Sequence, residues 1–397
     1  MREVTLSLYD RGGGDTLVIQ PLLDAFEHKH RIHVNLQLYG WHESWAKQVE
    51  TALYGHGPDI SEVGSTGVLD FVRMNAVSNL SPSELHLIGS EKDFFPTNWR
   101  SGVVTSPPDD QPVAWAIPWT ADLRLMFFRR ELLERAKVDP AVGFKDIEII
   151  DETIAKLSGV SELPLALTTL STQVNLHNLA SWLWDAGGDL MAPDGKSVAF
   201  DSESAMRGMH YFFRLGRYLP VELRKTDQNE TDQLFISGKA AVLFGGYWVG
   251  LAALDEPAPL PDLGISAMPG ASFVGGTNLL IWKHAKEREG TLLLLNFLIK
   301  QSAEHRLFPI FGLPAYIPAW EKVDFIRQPY STILLDALQK GRTFPVGELW
   351  GLVEKRLVDT IPMIWEKVLA SSENDVDKVL ADTIVPLAKR LNMSFIK

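Results

Sequence analysis

Residues 4–66 alternate between two hydrophobic periods, and that alternation limits the fold more than any other feature of the chain. Val4, Leu6 and Leu8 recur at every second position, as in a half-buried strand. Arg11-Gly12-Gly13-Gly14 breaks the run. Ile19, Leu22, Leu23 and Phe26 then keep the spacing of one helical face, with Asp15 or Thr16 as the expected N-cap and Pro21 either in the first turn or at a kink. Ile32, Val34, Leu36 and Leu38 alternate again, a helix follows over Glu43 to Tyr54, and Ile60 to Val63 make a third strand. This β-α-β-α-β order predicts a parallel sheet with crossover helices. In such sheets ligands lie beyond the carboxyl ends of the strands, here Asp10 to Gly14, Gly40-Trp41 and Gly64-Ser65-Thr66. The small residues of the last segment suit the floor of a cleft.

Farther on, Val113 to Ile117 reads as a strand ended by Pro118-Trp119, and Leu125 to Phe128 as a strand entering a helix near Arg130 to Ala136. Leu165-Ala166-Leu167 and Ala240 to Phe244 read as buried strands of a second sheet, with helices near Asn175 to Ala186 and Ser202 to Leu215. Gly264 to Met268 and Thr277 to Trp282 add strands, and the chain from Trp350 is helical, with Ser372 and Asp375 as caps before Val376, Val379 and Leu380. Glu256-Pro257-Ala258-Pro259-Leu260-Pro261 is too stiff for a helix and is either a crossing between domains or a surface loop. A length of 397 residues suggests two or three packed units, with no repeat of fixed period.

Composition removes several classes of function. A net charge of -12 disfavours a nucleic-acid partner, which needs a basic face. With no cysteine there is no disulfide, thiolate metal site or cysteine nucleophile. No segment reaches the roughly 18 uninterrupted apolar residues of a membrane span. Met1-Arg2-Glu3 leads straight into a strand without a secretory signal, so the chain is expected to be either cytosolic or a mature protein bearing an added initiator Met.

Motifs are mostly negative. Leu17 stands where the third glycine of a dinucleotide fingerprint belongs, and Leu190 where a phosphate loop ending in Gly195-Lys196-Ser197 would begin. Neither a nucleophile elbow nor a zinc-protease helix is present. His28, His30 and His33 straddle a helix end and a strand start, which favours a solvated surface over a metal site. Asp59 with Asp122 is countable as a glycosidase pair, but Asp59 follows Pro58 at a strand start, where a turn role fits better. No metal or cofactor is expected.

The positive signal is aromatic. Of 12 tryptophans, Trp41, Trp45, Trp119, Trp182, Trp184, Trp248 and Trp350 stand at predicted strand ends or beside glycine or other helix-packing positions. The C-H face of a pyranose stacks on a flat ring, with about 1 kcal/mol per contact beyond area burial. Packing in a core competes with that role, least so for Trp119 and Trp248, which have Pro or Gly as near neighbours.

The G-x-G-P-D-I at Gly55 to Ile60, the I-P-W-T-A-D at Ile117 to Asp122 followed by Leu125 to Leu133, the G-K-A-A-V-L-F-G-G-Y-W at Gly238 to Trp248, and the G-G-T-N-L-L-I at Gly275 to Ile281 run in one order over most of the chain. In this the chain resembles the extracellular solute-binding proteins of sugar ABC transporters, the maltose-binding-protein-like group. The resemblance implies an α/β, two-lobed fold, each lobe a mostly parallel sheet flanked by helices, with a hinge and a cleft between lobes. It implies discontinuous lobes, 1–119 with 266–318 and 120–265 with 319–397. Ligand-facing places then fall on Asp10, Arg11, Trp41, Ser65, Thr66, Trp119, Asp122, Trp248, Gly275 and Gly276, with Asn175, His177 and Trp182 in the second lobe. Two departures stand out: Ser65-Thr66 replaces a charged or bulkier polar residue, and Tyr316 stands in a G-L-P-A segment where many relatives have Arg.

The resemblance further implies a monomer that captures a sugar or oligosaccharide without turning it over, docks in its closed form on a membrane permease, and works outside the cytoplasm as a periplasmic or surface-anchored chain. Trp248 would be the stacking floor, Asp122 an acceptor of sugar hydroxyls, and Trp41 with Asp10-Arg11 the opposite wall. Two rivals stay open. One is a glycoside hydrolase. The other is a binder of a polyamine or a phosphate ester, the cation being suited to the acidic charge and able to use the same rings.

Overall fold

A computed structural model describes residues 2–12, 14–105, 111–170, 173–254, 260–301, 307–322, 330–344, 350–370 and 375–395. Ser372, expected as a cap, and most of the proline-rich 256–261 stretch lie outside the described residues.

The chain packs as two compact units, residues 1–122 with 274–332 and residues 123–273 with 333–397. The boundaries implied at 119/120, 265/266 and 318/319 therefore fall at 122/123, 273/274 and 332/333. The first displacement has a local cause. Pro118 does not end a strand; it sits near the start of one continuous strand, Ala116–Arg129, where a missing N–H is tolerated.

In the first unit, β1 (Arg2–Asp10), α1 (Asp15–His30), β2 (Ile32–Gly40), α2 (Trp41–Tyr54) and β3 (Ile60–Gly64) follow in order. β1 pairs in parallel with β2, Asp10 opposite Gly40, and with β3, Leu6 opposite Ile60. Val4 and Leu6, at the period-2 positions of β1, are fully buried. Ile19, Leu23 and Phe26 of α1 are buried with them, whereas Leu22 is half-buried. α1 begins after Gly14, so Pro21 lies in its second turn on the exposed side. Asp15 is not the cap: its buried Oδ2 accepts from the Arg11 amide at 2.5 Å and ties the loop after β1 to the helix.

The strand Val274–Ile281 pairs antiparallel with β3, Ile60 opposite Ile281 and Gly64 opposite Thr277. The short strand Leu313–Pro314 pairs antiparallel with Ala121 and Thr120. The second unit is built on the other half of Ala116–Arg129. Its Arg124 to Phe128 pair antiparallel with Val242–Gly246, and Leu125 to Arg129 with Leu263–Ala267. A parallel bridge joins Ala166 to Leu243. The sheets are thus mixed rather than mostly parallel: β1, β2 and β3 are linked by crossover helices, and the helix Tyr247–Leu254 lies between Val242–Gly246 and Leu263–Ala267, but Ala116–Arg129 and Val274–Ile281 run antiparallel to their neighbours. Helices Gln173–Asp185, Glu203–Arg214, Trp350–Ala370 and Val376–Ser394 enclose the core of this unit around Trp182, Phe212, Phe213 and Trp365. Asp375 caps the last of these, accepting from the Lys378 amide at 3.2 Å.

Candidate functional site

In the first unit, the parallel register brings the strand ends level. Asp10 is opposite Gly40, so Trp41 and the Asp10-Arg11 loop leave the sheet side by side. Trp41 stacks on Tyr9 with centroids 4.0 Å apart and planes 10° from parallel. Tyr9 is buried, and its hydroxyl accepts from the Gly64 amide at 3.0 Å. Trp41 is 52% exposed, so Tyr9 backs one face and leaves the other to solvent. Trp45, one turn later on α2, is 48% exposed and leans on Phe71 at 5.2 Å.

Arg11 is engaged by its own fold. Its guanidinium pairs with the buried Glu62, donates from Nη1 to the Tyr9 carbonyl at 3.0 Å, and lies 4.9 Å from the Phe311 ring. Glu62 also accepts from the Tyr9 amide at 2.9 Å. A buried carboxylate of this kind needs the pairing it receives. Asp10 is exposed and closes a turn by accepting from the Gly12 amide at 2.8 Å.

Ser65 is buried and donates its amide to the Gly276 carbonyl at 3.0 Å, while Thr66 is half-buried beside it. The Gly275 carbonyl accepts from Asn98 Nδ2 at 2.8 Å. Gly276 has φ +124°, and a Cβ there would stand 2.0 Å from the Thr120 carbonyl oxygen, so this segment admits only glycine without displacement. Along Ala116–Arg129 side chains alternate. Thr120 meets Thr277, Oγ1 to Oγ1 at 2.7 Å, and Asp122 is half-buried on the same side. Trp119 therefore points the other way. It is 1% exposed and packs against Phe311 at 5.3 Å, so the expected ligand-facing ring is an interior one.

In the second unit, Trp248 is the second residue of the helix Tyr247–Leu254, which directly follows the strand Val242–Gly246. A Cβ on Gly246 would come within 2.1 Å of the indole, so glycine lets the ring fold over the strand end. Trp248 is half-buried, its Nε1 donates to Asp232 Oδ2 at 2.8 Å, and the Arg124 guanidinium lies 4.8 Å from its ring centroid. Burial pushes the Asp232 carboxyl above the ordinary carboxylate range, opposed by the Trp248 hydrogen bond and the charge of Arg124.

His177 is half-buried and stacks on Phe273 at 4.0 Å, 11° from parallel. Burial, with the Arg124 charge adding to it, holds its pKa well below the usual histidine value, so the ring is neutral. Asn175 is fully buried and donates to the Leu170 carbonyl at 2.6 Å, an interaction that shapes the start of its own helix. Trp182 is a core residue, unexposed between Phe244 at 4.8 Å and Phe212 at 5.3 Å, which removes it as a stacking surface. The helix is buried on nearly every side from Val174 to Trp184, so no face of it offers Trp182 to solvent.

Four organising residues escaped the sequence reading: Tyr9, Glu62, Arg124 and Asp232. A charged residue inside a buried strand run, as at Glu62 and Arg124, is the signal that marks two of them. Among the described residues no group of three or more histidines and carboxylates converges as a metal site.

Comparison with known proteins places this geometry. The maltodextrin-binding protein MdxE of Bacillus subtilis (strain 168) is 21% identical over 288 residues, 68% of this chain and 67% of its own. A maltose-bound T. maritima protein, MalE3, superposes with a TM-score of 0.79 at 18% identity, over 98% of this chain and all of the other. A solute-binding protein of an ABC transporter from Thermotoga lettingae, bound with α-D-tagatose, gives 0.77 at 19% over the whole of both chains. The sugar-binding protein MalE from Xanthomonas citri gives 0.77 at 20%, again over both chains entirely. At these identities the structures share the fold. Residues 14–304 match the family described as bacterial extracellular solute-binding proteins, and the chain belongs to that family.

Proposed function

We propose that this chain is the sugar-binding component of an ABC transporter, capturing an uncharged sugar or oligosaccharide. The observation that carries this reading is a pair of strand-end indoles, one in each unit. Trp41, stacked on Tyr9, is 52% exposed, and Trp248, beside Arg124, is half-buried. Flat faces held rigid at strand ends suit the C-H face of a pyranose, and Asp122 supplies an acceptor for its hydroxyls. Similar proteins are described with maltose, α-D-tagatose and acarbose bound.

Binding follows linkage. A sugar stabilises the state of the chain that holds it, and that state docks on the permease. The chain binds as a monomer outside the cytoplasm, periplasmic or anchored at the surface, and leaves its sugar unaltered.

A thermal-shift panel of maltose, maltotriose, tagatose, spermidine and a sugar phosphate tests this. A sugar at a hundredfold excess over its Kd adds about 2.7 kcal/mol to apparent stability, a clear upward shift. Stabilisation by spermidine or the phosphate ester with none by any sugar would overturn the reading. Product chromatography after overnight incubation with maltotriose is expected to show the substrate intact; glucose or maltose in the mixture would make the chain a hydrolase.

A further inference from the structure

Trp248 is restrained on more sides than a stacking residue needs. Gly246 lets the ring lie over the end of its strand, and Arg124, 3% exposed, stands 4.8 Å from the ring centroid. The edge is held too: Nε1 donates to Asp232 Oδ2 at 2.8 Å, a charge-assisted bond to a carboxylate that is only 7% exposed. Asp232 itself is fixed. Its helix, Gln228–Ile236, is anchored by the fully buried Phe235 and begins with a reciprocal cap between Asp227 and Glu230.

We infer that Asp232 is a positioning residue that commits the indole N–H of Trp248, so that this tryptophan meets its solute through the ring face alone. The consequence is a specificity rule. The second unit selects for a ligand with an apolar C-H face and gains nothing from an acceptor aimed at the indole edge, because that donor is already engaged. Sugars that present an unbroken C-H face are favoured over analogues with an axial oxygen pointing into the ring. This inference deepens the sugar reading above and rests on it.

The test combines indole N–H spectra of the whole chain, labelled with 15N-tryptophan, with calorimetry against maltotriose. The Trp248 signal is identified by its loss in Trp248→Phe. In the wild type it is expected downfield and slow to exchange with solvent. Asp232→Leu moves it upfield and weakens maltotriose binding about tenfold, the size of one lost positioning hydrogen bond. Asp232→Asn keeps an oxygen acceptor in the same place and holds affinity within about threefold of wild type. An indole signal unmoved by Asp232→Leu, unchanged maltotriose affinity in that variant, or an Asp232→Asn as weak as Asp232→Leu would each overturn the positioning role.

Failure of the underlying reading looks different. If the wild type ignores maltotriose, or Trp248→Ala binds it as tightly, the stacking assignment is lost. The indole signal then decides the role of Asp232 by itself.

Discussion

At the scale of single residues, the site depends on which face of an aromatic ring its own fold leaves uncovered. Trp41 is backed on one side by Tyr9 and open on the other, so Trp41→Ala is expected to weaken sugar binding about tenfold while lowering stability by less than about 1 kcal/mol. Calorimetry and a denaturant melt separate the two effects. Gly276→Ala should do the reverse of a surface change. Its φ of +124° and the 2.0 Å approach to the Thr120 carbonyl make a methyl group intolerable, so destabilisation of roughly 3 kcal/mol is expected by chemical denaturation. His177 carries a pH signature. Its ring, desolvated against Phe273, stays neutral in the fold, whereas in the unfolded chain it takes up a proton near pH 6.5. Below that pH the unfolded state binds more protons, and stability falls as pH drops. His177→Phe, which keeps the stack on Phe273, is expected to reduce the loss of stability between pH 7 and 5 by about 1–2 kcal/mol. An unchanged loss would show that the ring titrates in the folded protein.

The residue scale is also where the sequence was least legible. Trp41 and Trp248 follow glycines at strand ends, and that neighbourhood was enough to single them out. Trp119 and Trp182 had similar credentials, but a residue type does not say which side of a strand or helix it occupies. Alternation with Thr120 turned Trp119 onto Phe311, and burial of its helix on nearly every side kept Trp182 in the core. Arg11 stood at a strand end with no sign that Glu62, in another strand, would neutralise it.

At the scale of elements, local periodicity was a good guide and long-range pairing was not. β1, α1, β2, α2 and β3 follow from period-2 and helical spacing alone, because each pattern is set within its own short segment. The insertion of Val274–Ile281 against β3 has no local cue, since its partner lies in a distant part of the chain. One such long-range tie can be measured. Arg288 grips Glu84 through Nε at 2.8 Å and Nη2 at 3.0 Å, joining two helices of the first unit, and its guanidinium lowers the Glu84 carboxyl to about 2. A depressed carboxylate contributes stability above its unfolded pKa and loses it as pH falls through the folded value, so the window here runs from about pH 4.5 down to 2. Both side chains are partly exposed, which discounts the gain to about 1–2 kcal/mol. Arg288→Met should remove that amount at pH 7 and almost none at pH 2, read from urea midpoints at the two pH values.

At the scale of the whole molecule, the chain passes between its two units at 122/123, 273/274 and 332/333, and each unit brings one strand-end indole and its own supporting residues. An acidic surface with net charge -12 suits an uncharged guest better than an anionic one. The central claim is that a sugar is held against the face of a strand-end indole. A crystal structure of the wild-type chain soaked or grown with maltotriose measures this directly. The account predicts a pyranose ring stacked on Trp248. A bound sugar that leaves the face of Trp248 uncovered would contradict it.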